Sequence, residues 1–144
     1  MMVDISTKDE VSRKARARGR IVLKRETVKT IKEGKVKKGD VFTVSRIAAI
    51  SAVKRTAEAL PLCHPIPITG IEVSFKVLEE AIEVEVEVRS YARTGVEMEA
   101  LHGVLAALLN IWDMVKYLEK DGTGNYPTTR MEDIRVVEKV KGPA

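Results

Sequence analysis

One cysteine, two histidines and six aromatic side chains (one Trp, three Tyr, two Phe) are a thin supply for a chain of 144 residues. A lone cysteine cannot close an internal disulfide, which points to a reducing, cytoplasmic setting. With neither Cys-x-x-Cys nor His-x-x-x-His spacing, a structural zinc site has too few ligands. The opening "MMVDISTKDEVSRKARARGR" lacks the apolar core of a signal peptide. The longest apolar run, "GVLAALLNIWDMV", is interrupted by Asn110 and Asp113 before membrane-spanning length, so no membrane partner is expected. The charge balance is equally restrained: 25 Lys and Arg against 21 Asp and Glu leave +4. Acidic partners are favoured only mildly, and cation placement has to decide.

What is present is ample for one core: 44% hydrophobic and 32% charged residues, expected to form a single domain over 1–144. Residues 1–18 read as an N-terminal arm, flexible or marginally helical, because "TKDEVSRKARARGR" is charged and begins with the capping-box spacing Thr7-x-x-Glu10. "GRIVLKR" reads as a short strand. "ETVKTIKEGKVKKGD" reads as a short amphipathic helix ended at Gly34. Asp40 is placed to N-cap a helix whose Val41, Val44, Ile47, Ala48, Ala52, Val53 and Ala57 recur at helical spacing up to Pro61. From Ile68 to Arg89 the period changes to two, with a turn at Glu79 and Glu80, which predicts an antiparallel hairpin. Thr94-x-x-Glu97 offers a second capping box before an apolar helix reaching about Lys120; "DGTGNYPTT" follows as a loop and "RMEDIRVVEKV" as a last strand.

Helices on one face of an antiparallel sheet make an α+β fold, with the ferredoxin-like plait as its simplest topology. The helix from Thr94 is too apolar to stand alone on a small domain, which predicts an oligomer.

Several polar residues resist a packing role. "EALPLCHPIPI" fences Cys63 and His64 with prolines at 61, 65 and 67. As a metal site the pair is weak, and as a cysteine nucleophile it lacks an orienting base. A rigid hydrogen-bonding loop, with His64 as donor, is the better reading. Asp113 and Lys116 lie three apart in the most apolar helix and share a face. They form either an ordinary surface pair or an acid/base couple, and spacing alone does not choose. Glu97 is explained as a cap; Glu99, two residues on, is not. "KVKKGD" forms a cationic turn ahead of a helix, and Lys54 and Arg55 sit near that helix's other end, where solvated charge is the default.

Taken together, "MVDIS", "KKGDVFTVSRIAAISAVKRT", "LPLCHPIPI", "TGVEMEAL", "IWDMVK" and "IRVVEK" closely resemble the cyclic pyranopterin monophosphate synthase (MoaC) family of molybdenum-cofactor biosynthesis, over nearly the whole chain. The resemblance implies a ferredoxin-like subunit, a homohexamer built as a trimer of dimers, and active sites at dimer interfaces. It implies a lyase reaction, in which 3′,8-cyclo-7,8-dihydro-GTP becomes cyclic pyranopterin monophosphate and pyrophosphate leaves. Carried over to this sequence, it puts Asp113 in the acid/base role with Lys116 as catalytic partner. Substrate contacts fall to Leu62, Cys63, His64, Met98 and Glu99, and Glu97 matches a further carboxylate. Lys38, Arg13 and Lys139 match basic positions suited to holding phosphates or assisting proton transfer, with Lys54 and Arg55 ranked lower. No protein-held cofactor is implied; a divalent ion with the triphosphate is left open.

Two departures stand out. The chain reads "VKGPA" where the family has a glycine-rich loop, so that loop's second lysine is served by Lys141 or not at all. The connection "KDGTGNYPTTRMED" is long, which loosens the expected placement of Lys139 against the Asp113 helix.

Two other function classes compete. An RNA-binding ferredoxin-like domain needs aromatics on its central strands, and "IEVSFKV" and "IEVEVEV" supply only Phe75, so nucleic acid is not an expected partner. A non-catalytic nucleotide sensor would have no use for a proton-shuttling Asp-x-x-Lys pair.

Overall fold

The computed structural model describes residues 1–142. Its elements run β1 (Val11–Val22), α1 (Arg25–Lys32), α2 (Val41–Lys54), α3 (Thr56–Ala59), β2 (Ile68–Val77), β3 (Ala81–Ala92), α4 (Glu97–Glu119) and β4 (Arg130–Lys141). The strands form one antiparallel sheet in the order β2-β3-β1-β4. With the helices inserted between β1 and β2 and between β3 and β4, this is the ferredoxin-like α+β arrangement expected from the sequence.

The principal correction concerns the N-terminal segment. Residues 11–18 are neither an arm nor a helix; continuous with residues 19–22, which read as strand, they form a central strand paired with β3 on one side and β4 on the other. The Thr7-x-x-Glu10 spacing caps no helix, and residues 6–8 make only a turn. Along β1 the buried positions are Arg13, Ala15, Ala17, Gly19 and Ile21, while Lys14, Arg16, Arg18 and Arg20 face the other way. That second face is a charge ladder: Arg16, Arg18 and Arg20 stand opposite Glu87, Glu85 and Glu83 of β3. Arg18 reaches Glu85 at 2.8 Å, Arg20 reaches Glu132 of β4 at 2.9 Å, and Lys14 reaches Glu138 at 3.2 Å.

The helices cover the opposite face. α4 crosses β1, β3 and β4, with α2 alongside. Its length and apolar character would suffice for a membrane span, but half of its most apolar stretch is buried within the fold. Ala100, Val104, Ala107, Leu108 and Ile111 meet Val84, Val86, Val88, Ala15 and Ala17 in the core. Two glycines set the spacing. A Cβ on Gly19 would lie 2.8 Å from Ile134 and 3.0 Å from Val104, so α4 can settle on β1 only over a bare backbone. A Cβ on Gly103 would meet Val53 of α2 at 2.9 Å.

The remaining expectations fare unequally. Asp40 caps α2, its Oδ2 accepting the Thr43 N–H at 3.0 Å. Gly34 ends α1 in the left-handed region at φ 68°. The hairpin turns at Glu79 and Glu80 as read. The Thr94 capping box does not form: Val96 is the N-cap of α4 and no side chain caps it.

Candidate active site

The candidate residues gather at the two ends of α4. At its C-terminal end, Asp113 Oδ1 lies 3.2 Å from the Lys116 ammonium, as the i,i+3 spacing requires. Asp113 Oδ2 lies 3.1 Å from the ammonium of Lys38, delivered by the turn between α1 and α2. Lys38 also donates to the Asp113 carbonyl at 3.4 Å. The hydrogen bonds from Lys38 and then Lys116 hold the Asp113 carboxyl below its ordinary range, so at neutral pH it is charged. The carboxylate is 54% exposed, an open position rather than a pocket.

At the N-terminal end, Glu97 pairs with Lys139 of β4 at 2.7 Å. This replaces its expected capping role: the carboxylate that would have turned back to Thr94 is held by a lysine on the sheet instead. It also settles the position of Lys139, which stands at the end of α4 remote from Asp113. Burial works against charge on Glu97. The Lys139 hydrogen bond, the residue's own backbone N–H and the charges of Lys139 and Arg13 prevail, holding the carboxyl below its ordinary range. Arg13 is 5% exposed, its Nε donating to the Ala92 carbonyl at 3.2 Å.

Glu99, beside this pair, behaves oppositely. It is only 2% exposed. Burial pushes its carboxyl up, and the neighbouring charge of Glu97 adds to the effect against the lowering hydrogen bonds of its own backbone and Cys63. The Cys63 thiol lies 3.9 Å from Glu99 Oε2 and is itself pushed up, first by burial and then by the Glu99 charge, so it is a neutral neighbour and not a thiolate. The proline-fenced loop brings Cys63 and a half-buried His64 to this end; Leu62 and Met98 are exposed at its rim, 58% and 42% respectively. Lys54, Arg55 and Glu58 line a cleft of about 140 Å³ with Glu99 as one wall. Lys141 stands opposite Arg13 across the β1–β4 ladder. The tail beyond it, Pro143 and Ala144, lies outside the described residues.

The other histidine does not join Cys63 and His64: His102 Nδ1 sits 3.1 Å from Thr56 Oγ1. Among the described residues no three His, Cys, Asp or Glu side chains gather as a metal site.

Two residues at the Asp113 end escaped the sequence reading. Glu119 is fully buried and accepts from Thr27, from Thr129 at 2.7 Å and from the Lys24 backbone at 3.1 Å, tying the end of α4 to α1 and to the loop before β4. Tyr117 accepts the Lys37 backbone N–H at 3.0 Å. The available signals were weak: an acid closing an apolar helix, and an aromatic four residues beyond Asp113.

Comparison with known proteins matches residues 2–142 to the MoaC family. A probable cyclic pyranopterin monophosphate synthase of Pyrococcus horikoshii is 64% identical over 140 residues, 97% of this chain and 88% of that protein. Proteins of the same description from Thermococcus kodakarensis and Methanosarcina mazei are 61% and 59% identical, over 98% and 99% of this chain and 90% and 91% of their own. Matched along nearly its whole length and at high identity, the chain belongs to the MoaC family.

Proposed function

We infer that the two ends of α4 are complementary halves of one active site, completed between two copies of this chain. The activity is that of cyclic pyranopterin monophosphate synthase, a lyase of molybdenum-cofactor biosynthesis. Its substrate, cyclised dihydro-GTP, brings a guanine-derived ring to be opened and reclosed and a triphosphate that loses two phosphates. Such a reaction needs proton carriers of both kinds and cations for the departing pyrophosphate. Asp113, charged and flanked by Lys116 and Lys38, suits proton acceptance. Glu99, its carboxyl raised by burial, suits proton donation, with Cys63 and His64 as ring-facing hydrogen-bond partners. Lys38, Arg13 and Lys139 suit the phosphates, and Lys54 and Arg55 stand at the cleft beside Glu99.

The observation that carries the reading is a length. Glu97 and Asp113 are sixteen residues apart on one helix, about 24 Å at the helical rise, so one chain cannot bring both ends to a single small substrate. A twofold pairing that sets the Asp113 end of one copy against the Glu99 end of the other removes the difficulty and generates two equal sites. Exposed apolar side chains on the same helical layer, Ile47 of α2 at 62% and Leu109 of α4 at 63%, favour association. A homohexamer built as a trimer of dimers in the cytoplasm completes the proposal.

The test is complementation. Asp113→Asn and Glu99→Gln are each purified and incubated with the cyclised intermediate while pyrophosphate and pterin are followed. The two are then co-expressed with different tags and the mixed assembly isolated. Sites shared between copies recover roughly a quarter of parental turnover on random pairing, since one site of each mixed dimer is intact. Sites contained in one chain stay inactive in every mixture, which would overturn the reading.

A further inference from the structure

The turn that delivers Lys38 offers two candidate ammonium groups, because Lys37 and Lys38 are adjacent on long flexible stems. Only Lys38 meets Asp113. The reason lies one helical turn beyond the carboxylate. The Lys37 backbone N–H donates to Tyr117 Oη at 3.0 Å, and the Lys37 ammonium sits 5.2 Å from the centroid of the same ring. Both ends of Lys37 are thus held by one side chain. Buried Val36 pins the turn from the side of α1, and Gly39 closes it at φ 119°, its N–H donating to the Val36 carbonyl at 3.1 Å. With Lys37 held on the tyrosine, the next residue is directed to Asp113 Oδ2 at 3.1 Å.

We propose that Tyr117 is a positioning residue that sorts the two lysines, engaging Lys37 by its backbone and its ammonium so that Lys38, and not Lys37, joins Lys116 at Asp113. Its bearing on catalysis rests on the reading of Asp113 as a proton acceptor; the sorting itself does not. A tyrosine that merely stiffened the turn would add stability without deciding which cation the carboxylate meets. The phenol oxygen and the ring act separately on Lys37, so removing the oxygen alone frees the backbone while leaving the fold's apolar contacts in place.

The experiment uses the full chain and its assembly, with Tyr117→Phe, Lys38→Ala, their double variant, and Tyr117→Phe in the Lys37→Ala background. The Asp113 carboxyl is titrated by carbon-detected NMR after selective labelling, and turnover is measured on the cyclised intermediate. In Tyr117→Phe the carboxyl is expected to titrate nearer its ordinary value, moving in the direction that Lys38→Ala moves it. kcat/KM is expected to fall about three- to tenfold, the scale of one lost hydrogen bond, and the loss should vanish in the Lys38→Ala background. An Asp113 titration unchanged by Tyr117→Phe in the Lys37→Ala background, where no second ammonium of the turn can take the place of Lys38, would overturn the sorting. So would a turnover loss persisting in full without Lys38, because the tyrosine would then act by another route. If the titration shifts as expected while Lys38→Ala and Asp113→Asn turn over normally, the sorting stands and the assignment of Asp113 to catalysis falls.

Discussion

The two ends of α4 carry carboxylates of similar chemistry in opposite states. Asp113 is open to solvent between two lysines and is held charged. Glu99 is buried against a thiol and, among the described residues, forms no ion pair, and its carboxyl is pushed toward the neutral form. The helix dipole would by itself favour charge on Glu99 in the first turn, so burial prevails over it there. At Asp113, well inward of the last turn, the direct hydrogen bonds of the two lysines decide. Two carboxylates on one helix are thus pushed to opposite sides of their ordinary proton affinity, the contrast on which the proposed acid and base roles rest.

The comparison breaks most visibly at the charged end. Asp113→Asn and Lys116→Ala should fold, assemble and bind substrate, yet lose turnover by about 10²–10⁴-fold, equivalent to about 3–5 kcal/mol of barrier. An exposed structural pair would instead be worth about 0–1 kcal/mol of stability. Near-normal turnover by Asp113→Asn with a collapsed melting temperature would reassign the pair to structure.

The scaffold between the ends is tested by Gly103→Ala. A methyl group 2.9 Å from Val53 must part α2 from α4, and we expect a loss of about 1–3 kcal/mol in urea unfolding. An unchanged midpoint would show that the two helices can separate without cost, and that the distance between the ends is not fixed by their packing.

Stability against pH sharpens the contrast within the N-terminal end itself. Glu99 has a raised carboxyl pKa, so its contribution is fully present below the ordinary value of 4.5 and lost as pH rises through the raised folded value. Glu97 has a lowered one, so its contribution is present above 4.5 and lost as pH falls through the lowered folded value. Differences between parent and Glu99→Gln, and between parent and Glu97→Gln, should therefore slope in opposite directions in denaturant titrations at stepped pH. Parallel slopes would mean that the two neighbours share one environment.

The smallest effect is expected from Lys54→Ala. Its side chain is exposed at the end of α2, and stability should change by less than about 0.5 kcal/mol. A modest rise in KM with kcat unchanged would assign it to phosphate retention, and a fall in kcat would bring it into the chemistry.

Much of this was legible because it depends on local spacing. The hairpin follows from alternation at Ile71, Val73, Phe75, Ile82, Val84 and Val86; the α2 cap follows from Asp40; the contact between Asp113 and Lys116 follows from a three-residue step. Only the end of β1, from Gly19, was legible as strand, and the rest was hidden for a physical reason. Its helix-facing positions Ala15, Ala17 and Gly19 are kept small because α4 rides close above them. With no branched apolar residue on that face between Val11 and Ile21, the alternation resembles a solvated basic segment. The Thr94 capping box failed because the partner that captures Glu97 lies 42 residues away, and no spacing announces Lys139. The separation of the two ends of α4 could be reckoned from length alone, but which residues join each end could not.

Gly19 has a consequence well away from its own position. Arginines and glutamates alternate along β1 and β3, so a slip of one residue would turn the basic row into the core, and pairing forbids it. A slip of two would keep each side chain on its proper face and most opposite charges together, leaving the ladder nearly indifferent. The bare backbone beneath Val104, Leu108 and Ile134 is not indifferent, because Ala17 or Ile21 moved into that place would collide with all three. One missing side chain thus acts as the index mark of the sheet. It fixes the strand to within a residue, and so prevents Arg13, six positions upstream, from sliding by about 7 Å away from the Ala92 carbonyl to which it donates.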